Sequence, residues 1–368
     1  MRSAGGDGPE LRTGRRGLCL TGGGVTGALH QVGVLAALEE AERVSGAEGG
    51  GGRASRPPAA AFDVIVGASS GATVALALAT GVGAGRLYRA LLDPADDFFP
   101  LRRQHLFRLD AAEWGRVARS VLGALRRMLV SVSDRPLDVD PWLELERFVD
   151  ALPAGLFTLN AYTEFLEHFC ERRGLPRTFR GLDVELLVVA HDLDRGTRIV
   201  FGQEPLRDVS LALAVAASTA VPILFAPVRV AGHDCIDGGL GDVGHVDVAV
   251  ERGCDRVLVV NPMVPFFNDP DVQDVPTGHG PRRRLRDKGL LWVYNQSVRL
   301  RSEGRFHRML AAYRAAHPNV RVALVEPARD DAMLFLHSPM NFAARRTLLE
   351  HAYRDTLERL RSGRLEVP

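Results

Sequence analysis

The chain has 368 residues, 46% of them hydrophobic and 25% charged, an ordinary globular composition with length enough for a large core. Its formal net charge is +1, so there is no bulk electrostatic case for nucleic acid as a partner. The cysteines Cys19, Cys170, Cys235 and Cys254 are scattered and form no CxxC pair, which leaves no metal-site spacing and points to buried free thiols in a reducing compartment.

Residues 1–14 read as a disordered tail. They are polar, glycine-rich and arginine-containing, without the apolar core of a signal peptide. No stretch approaches the roughly 18 apolar residues needed to span a bilayer. A cytoplasmic protein is the expectation.

Arg15 to Leu20 reads as a short strand that ends in the glycine run Gly22-Gly23-Gly24-Val25-Thr26-Gly27. Ala28 to Val44 then follows a helical pattern, with Leu29, Val32, Leu35 and Leu38 apolar. The glycine run therefore precedes a helix N-terminus, where free N–H groups and the helix dipole favour negative charge. Ser45 to Ala60 is a low-complexity loop with no assigned chemistry. Ala61 to Val66 is an apolar strand leading into Gly67-Ala68-Ser69-Ser70-Gly71, and Val74 to Ala79 continues as a helix.

Leu87 to Arg180 reads as a mostly helical insertion that forms a wall or lid, with apolar positions around Trp114, Val117, Val121 and Leu122 and again around Trp142 and Leu143. Arg116, Arg119, Arg126 and Arg127 decorate the first of these helices and read as a solvated face. A strand, Val184 to Ala190, is followed by a turn at Arg195-Gly196 and a return strand, Thr197 to Phe201. Val209 to Thr219 is a helix of small residues. An extended segment, Val221 to Val228, precedes Cys235-Ile236-Asp237-Gly238-Gly239.

Arg256 to Asn261 is a buried strand, and Phe266 to Gly280 a loop. Arg282 to His317 is a long helix or a broken pair, its basic start (Arg282 to Lys288) read as solvated. Val320 to Val325 is the last strand. Phe342 to Arg361 is a C-terminal helix. Strands alternating with helices predict an α/β fold, a largely parallel sheet covered by helices on both faces. One domain over 15–340 is expected, with a helix from 341–368 packed on it.

Gly67-x-Ser69-x-Gly71 has the spacing of a nucleophile elbow, in which an apolar strand enters, a tight turn carries serine and a helix leaves. A serine hydroxyl needs a base within hydrogen-bond reach and donors where the oxyanion develops. Backbone N–H groups of Gly23 and Gly24 suit the donors. Asp237 is the strongest base candidate, because it ends a β run and precedes Gly238-Gly239, where backbone can approach closely. A Ser-His-Asp arrangement stays open through His245, His279, His307, His317, His337 or His351, none in a distinctive context. Gly22-x-Gly24-x-x-Gly27 also fits a dinucleotide fingerprint, but the acidic residue expected at the end of the next strand is missing.

Taken together, the ordered motifs Gly22 to Gly27, Gly67 to Gly71, and Ala217-Ser218-Thr219-Ala220-Val221-Pro222 leading to Asp237-Gly238-Gly239 resemble the patatin-like phospholipase family. The resemblance runs from about Arg15 to about Val250. It implies a Ser69–Asp237 dyad, an oxyanion hole from Gly22, Gly23 and Gly24, and hydrolysis of a fatty-acyl ester in a phospholipid, lysophospholipid or neutral lipid. It implies neither metal nor cofactor, a lipid or acyl-ester substrate, and peripheral membrane contact. Thr26 stands where the family usually has Arg or Lys, and no proline follows Asp237-Gly238-Gly239. Those departures keep a non-catalytic lipid-binding member of the same fold in view.

Overall fold

Alternation along the strands decides the two faces of the sheet. In β1 (Arg15–Leu20), Leu18 and Leu20 enter one core while Cys19 enters the other. In β2 (Val64–Ala68), Ile65 opposes Val64 and Val66 in the same way. Side chains of a strand point alternately to opposite faces, so a strand covered on both sides must be apolar throughout. The computed structural model describes residues 14–48, 61–109, 152–239, 244–277, 279–335 and 345–367, with shorter pieces between 114 and 150.

The remaining strands of the main sheet are β3 (Glu185–Asp192), β4 (Arg198–Phe201), β5 (Val228–Val230), β6 (His233–Asp237), β7 (Cys254–Val260) and β8 (Arg321–Val325). The sheet is 8-stranded, in the order β8-β7-β1-β2-β3-β6-β5, with β4 also on β3. From β8 to β3 all pairings are parallel. β4 and β6 run antiparallel to β3, and β5 antiparallel to β6. The expected largely parallel α/β sheet is what forms.

The larger core lies under α1 (Gly24–Glu48), α2 (Ser70–Leu78), α3 (Ala84–Leu92), α4 (Asn160–Arg172) and α5 (Leu211–Ser218). The opposite face is covered by α6 (Val246–Glu251) and α7 (Leu290–Ala316), through Val246, Val248, Phe306 and Leu310. The C-terminal α8 (Arg345–Arg361) lies against α1, with Leu348 and Leu349 buried. All four cysteines are free and buried, and burial pushes the Cys235 and Cys254 thiols up to about 12.

Several boundaries differ from the sequence reading. α1 begins at Gly24 and runs to Glu48, into the segment read as loop; residues 49–60 lie outside the described part. The segment from Phe266 to Gly280 is not a plain loop. Val275–Thr277 pairs with Gly280–Arg282 as a hairpin, because Val275 is buried. The long C-terminal helix is indeed broken. A 3-10 turn, Leu285–Lys288, ends at Gly289, whose φ of 88° stops it before α7 starts. In the insertion, Arg116 and Arg119 are exposed beside buried Val117. Arg126, Arg127, Leu143 and the tail 1–13 lie outside the described residues.

Candidate active site

The register of β3 explains why Ser69 and Asp237 meet. β2 pairs with one edge of β3 up to Ala68↔Val189. β4 holds the other edge, from Val188 to His191. β6 arrives antiparallel and pairs Asp237↔Ala190. Since β4 fills the opposite edge over these residues, β6 must continue the edge that β2 leaves. The C-terminal ends of β2 and β6 therefore converge on adjacent residues of β3. Ser69 follows Ala68 directly, and Asp237 closes β6.

Ser69 has φ 55° and ψ −127°, a left-handed backbone for a residue with a Cβ. Such strain persists only where surroundings over-determine it, and it clusters at functional turns. Two contacts hold it here. The Ser69 N–H donates to Ser218 Oγ at 2.8 Å, and Ser218 Oγ–H donates in turn to the Val189 carbonyl. A Cβ on Gly71 would lie 2.3 Å from the Leu20 carbonyl oxygen, and one on Gly67 would lie 2.6 Å from Ala72 Cα. The glycines of the elbow are thus set by close approach, which lets α2 press onto the end of β1.

Asp237 is buried. Its N–H donates to the Ala220 carbonyl at 3.0 Å, and its Oδ1 accepts from the Gly239 N–H at 2.7 Å. Gly238 sits so close to β3 that a Cβ would fall 2.0 Å from the Val189 oxygen. Burial pushes the carboxyl up to about 6, opposed by the Ser69 side chain and the Gly239 N–H. The Ser69 hydroxyl is thus near enough to favour the carboxylate, yet Oδ2 makes no full hydrogen bond among the described residues.

The glycine run closes the third side. A Cβ on Gly22 would sit 3.1 Å from Ser69 Cβ and 3.5 Å from its Oγ, so this peptide borders the serine directly. Gly23 takes φ 146°, folding the chain tightly into α1. Among the described residues no protein acceptor meets the N–H groups of Gly22, Gly23 or Gly24, as expected where helix N-terminal donors are left over. Buried Gln31 donates from Nε2 to the Thr21 carbonyl at 2.6 Å. Thr21 Oγ1 donates to Asn261 Oδ1 at 2.9 Å. In a planar trans peptide C=O and N–H point opposite ways, so pinning the Thr21 carbonyl to Gln31 turns the Gly22 N–H away from it. Thr26 is buried, and its hydroxyl donates to the Gly23 carbonyl at 3.4 Å; it stiffens the loop and adds no charge. Gly22→Ala should lower kcat/KM by about 10²-fold through displaced reacting groups with the fold retained. Full activity in Gly22→Ala would show that this peptide does not matter to the reaction.

An apolar cavity opens beside Ser69, enclosing about 900 Å³ of empty space with its mouth included. α1 supplies Val25, Leu29 and Val32; the insertion and its flank supply Leu87, Phe99, Leu106 and Tyr162. Described residues between 87 and 106, with Tyr162, therefore form one side of this cavity. Thr73 and Tyr162 hydroxyls pair at 2.6 Å, which satisfies these two groups inside it. Arg345, from α8, is the one charged residue on the wall among the described residues. Sequence reasoning missed Arg345, Gln31 and the role of Ser218, since none has a local signal.

The described candidate histidines stand elsewhere, although His191 Nδ1 donates to the Asp237 backbone carbonyl at 3.1 Å. His245 is buried and donates from Nε2 to the Gly238 carbonyl at 3.2 Å, and burial lowers it to about 4. His307 faces Glu326 at 3.3 Å, His351 faces Asp331 at 2.8 Å and His317 stacks on Tyr313. His279 is exposed, and His337 lies outside the described residues. Among the described residues none bonds the Ser69 or Asp237 side chain. At the end of β2, where a dinucleotide fold would carry its acid, the chain has the serine turn.

A family model described as patatin-like phospholipase matches residues 18–250. No curated protein matches the chain significantly. Among solved structures, VipD from Legionella pneumophila aligns at 18% identity with a TM-score of 0.37, over 95% of this chain and 67% of that one. The type III effector protein ExoU aligns at 17% identity with a TM-score of 0.35, over 96% of this chain and 54% of that one. ExoU in complex with SpcU, from the type III secretion system of Pseudomonas aeruginosa, aligns at 16% identity with a TM-score of 0.33, over 97% and 54%. The chain spans about two thirds of the VipD structure and about half of the ExoU structures.

Proposed function

Because the chain belongs to the patatin-like phospholipase family, we propose that it is a serine-dependent lipid acyl hydrolase working through a Ser69–Asp237 dyad. The observation that carries this reading is the convergence of β2 and β6 on adjacent residues of β3, which sets a strained serine beside a buried carboxyl. The ionised Asp237 takes the hydroxyl proton as Ser69 Oγ attacks the ester carbonyl. The carbonyl oxygen gains the charge, and the N–H groups of Gly22 to Gly24 donate to it. Collapse expels the alcohol, which leaves with the proton from Asp237. Water then loses a proton to Asp237 and attacks the acyl-serine; collapse breaks the bond to Ser69 Oγ, which takes the proton back from Asp237 as the fatty acid departs. The apolar cavity takes the acyl chain.

Labelling by a fluorophosphonate, lost in Ser69→Ala, together with turnover of acyl esters of two chain lengths, tests the proposal. A folded wild type that neither labels nor turns over would favour the non-catalytic lipid-binding reading. Arg345 gives the cavity its charge and has no ion pair among the described residues. Guanidinium groups bind phosphate well, so a phosphate-bearing acyl ester should be preferred over a neutral glyceride of the same chain. Arg345→Gln should reduce that preference by roughly tenfold, about 1.4 kcal/mol; an unchanged ratio of kcat/KM values would take Arg345 out of head-group recognition.

A further inference from the structure

The start of α7 is built unlike the rest of that helix. From residue 296 onward it is held firmly. Gln296 accepts from the Phe266 N–H at 3.2 Å and donates to its carbonyl at 2.7 Å. Buried Arg299 donates to the carbonyls of Pro262 and Val264 at 2.8 and 2.9 Å, and Phe306 and Leu310 enter the core. In the first turn Trp292 packs on the larger core, while Leu290 is 76%, Leu291 45% and Val293 50% exposed. On the adjoining loop, Phe267 is 51% and Val272 78% exposed. That loop is tied to the segment before the helix, because Asn268 Nδ2 donates to the Arg283 carbonyl at 3.0 Å and Arg283 pairs with Asp274 at 3.2 Å.

The same surface carries the densest basic run in the chain, Arg282, Arg283, Arg284, Arg286 and Lys288. Asp274 is taken by Arg283, and Asp287 stands 3.8 Å from Arg286. Asp269 accepts from the Asp271 N–H, and both flank the loop. Lys288 lies over the Trp292 ring at 4.7 Å. Arg282 and Arg284 make no ion pair among the described residues. Cations ahead of a helix N-terminus oppose its dipole, so helix stability does not account for them. Exposed aliphatic side chains beside two arginines without an ion pair, Arg282 and Arg284, match the lipid-facing design of an interfacial helix.

We propose that residues 267–277 and 279–293 form a docking edge for an anionic lipid bilayer, with Leu290, Leu291, Val293 and Val272 entering the head-group boundary and Arg282 and Arg284 on acidic head groups. Basic residues near an anionic membrane surface attract it over about a Debye length, and the apolar side chains add the salt-resistant part. This surface stands independently of the hydrolase reading.

Cosedimentation of the whole chain with vesicles tests it, using phosphatidylcholine alone and phosphatidylcholine with about one third phosphatidylglycerol. Wild type should bind the anionic vesicles at least tenfold more tightly, with binding weakened by salt. Arg282→Glu with Arg284→Glu should remove that preference. Leu290→Ser with Leu291→Ser should lower anionic-vesicle binding at least tenfold and leave the residual binding more salt-sensitive. Equal binding to both vesicle types, or binding insensitive to both variants, overturns the proposal. So does a dimer in solution that Leu290→Ser with Leu291→Ser dissolves, since the apolar edge would then belong to a second copy. Turnover of a water-soluble short-chain ester reports separately on the dyad, so a silent active site and a failed docking edge give different results.

Discussion

Ser69→Ala is expected to lower turnover of acyl esters by at least about 10³-fold and to abolish fluorophosphonate labelling, with the fold intact. Folding should survive for a local reason. The elbow is held through the Ser69 backbone, by its N–H on Ser218 Oγ and its carbonyl accepting from Ala72. The hydroxyl takes no part in either bond. Alanine meets the left-handed backbone at Ser69 with the same Cβ as serine, so the strain is unchanged. What disappears is the oxygen proposed to attack, and the group that favours the ionised form of Asp237. Ser70 is the internal control. It begins α2, and its Oγ has no partner among the described residues. Ser70→Ala should still label. Labelling that persists in Ser69→Ala and is lost in Ser70→Ala would move the nucleophile by one residue and remove the elbow argument.

Much of this arrangement was legible in the sequence, because the candidate residues lie at strand ends marked by glycine. Gly67, Gly71 and Gly238 each stand where a Cβ would collide with backbone, and such positions write themselves into the sequence as glycine. The apolar runs of β1, β2 and β3 are continuous because both faces of these strands are buried. The partners that hold the site were not legible. Gln31 reaches Thr21 from ten residues away, and Asn261 reaches it from another strand. Ser218 meets Ser69 across 149 residues. Nothing local distinguishes such a serine or glutamine from a solvated one. The hairpin at Val275–Thr277 was hidden for a related reason: prolines and aspartates around it resemble a loop, and only the burial of Val275 reveals its pairing. The apolar start of α7 was equally silent, since spacing alone does not tell a buried leucine from an exposed one.

Asp237→Asn is expected to lower kcat/KM by about 10²–10⁴-fold, the range of a lost general base, and to stabilise the protein. Both effects come from one carboxyl. Only its ionised form can accept the Ser69 proton, and in the folded protein burial raises it from 3.8 to about 6. The wild-type kcat/KM should therefore climb through about pH 6 and level off above it, because this parameter reports ionisation of the free enzyme. Linkage gives the stability effect the opposite sign. A carboxyl raised on folding favours the native state while protonated, and that advantage is lost as pH rises from the unfolded value through the folded one. Near neutral pH the native protein thus carries a buried charge that asparagine would not have, while an asparagine oxygen could still accept from the Gly239 N–H. The variant should melt higher than wild type at pH 8, and the gap should close toward pH 4, where the wild-type carboxyl is protonated as well. Thermal melts at the two pH values, beside a pH–rate profile, separate the contributions. A profile without a limb near pH 6, from a variant that keeps near-normal rate, would leave Asp237 a structural residue and require another base for Ser69.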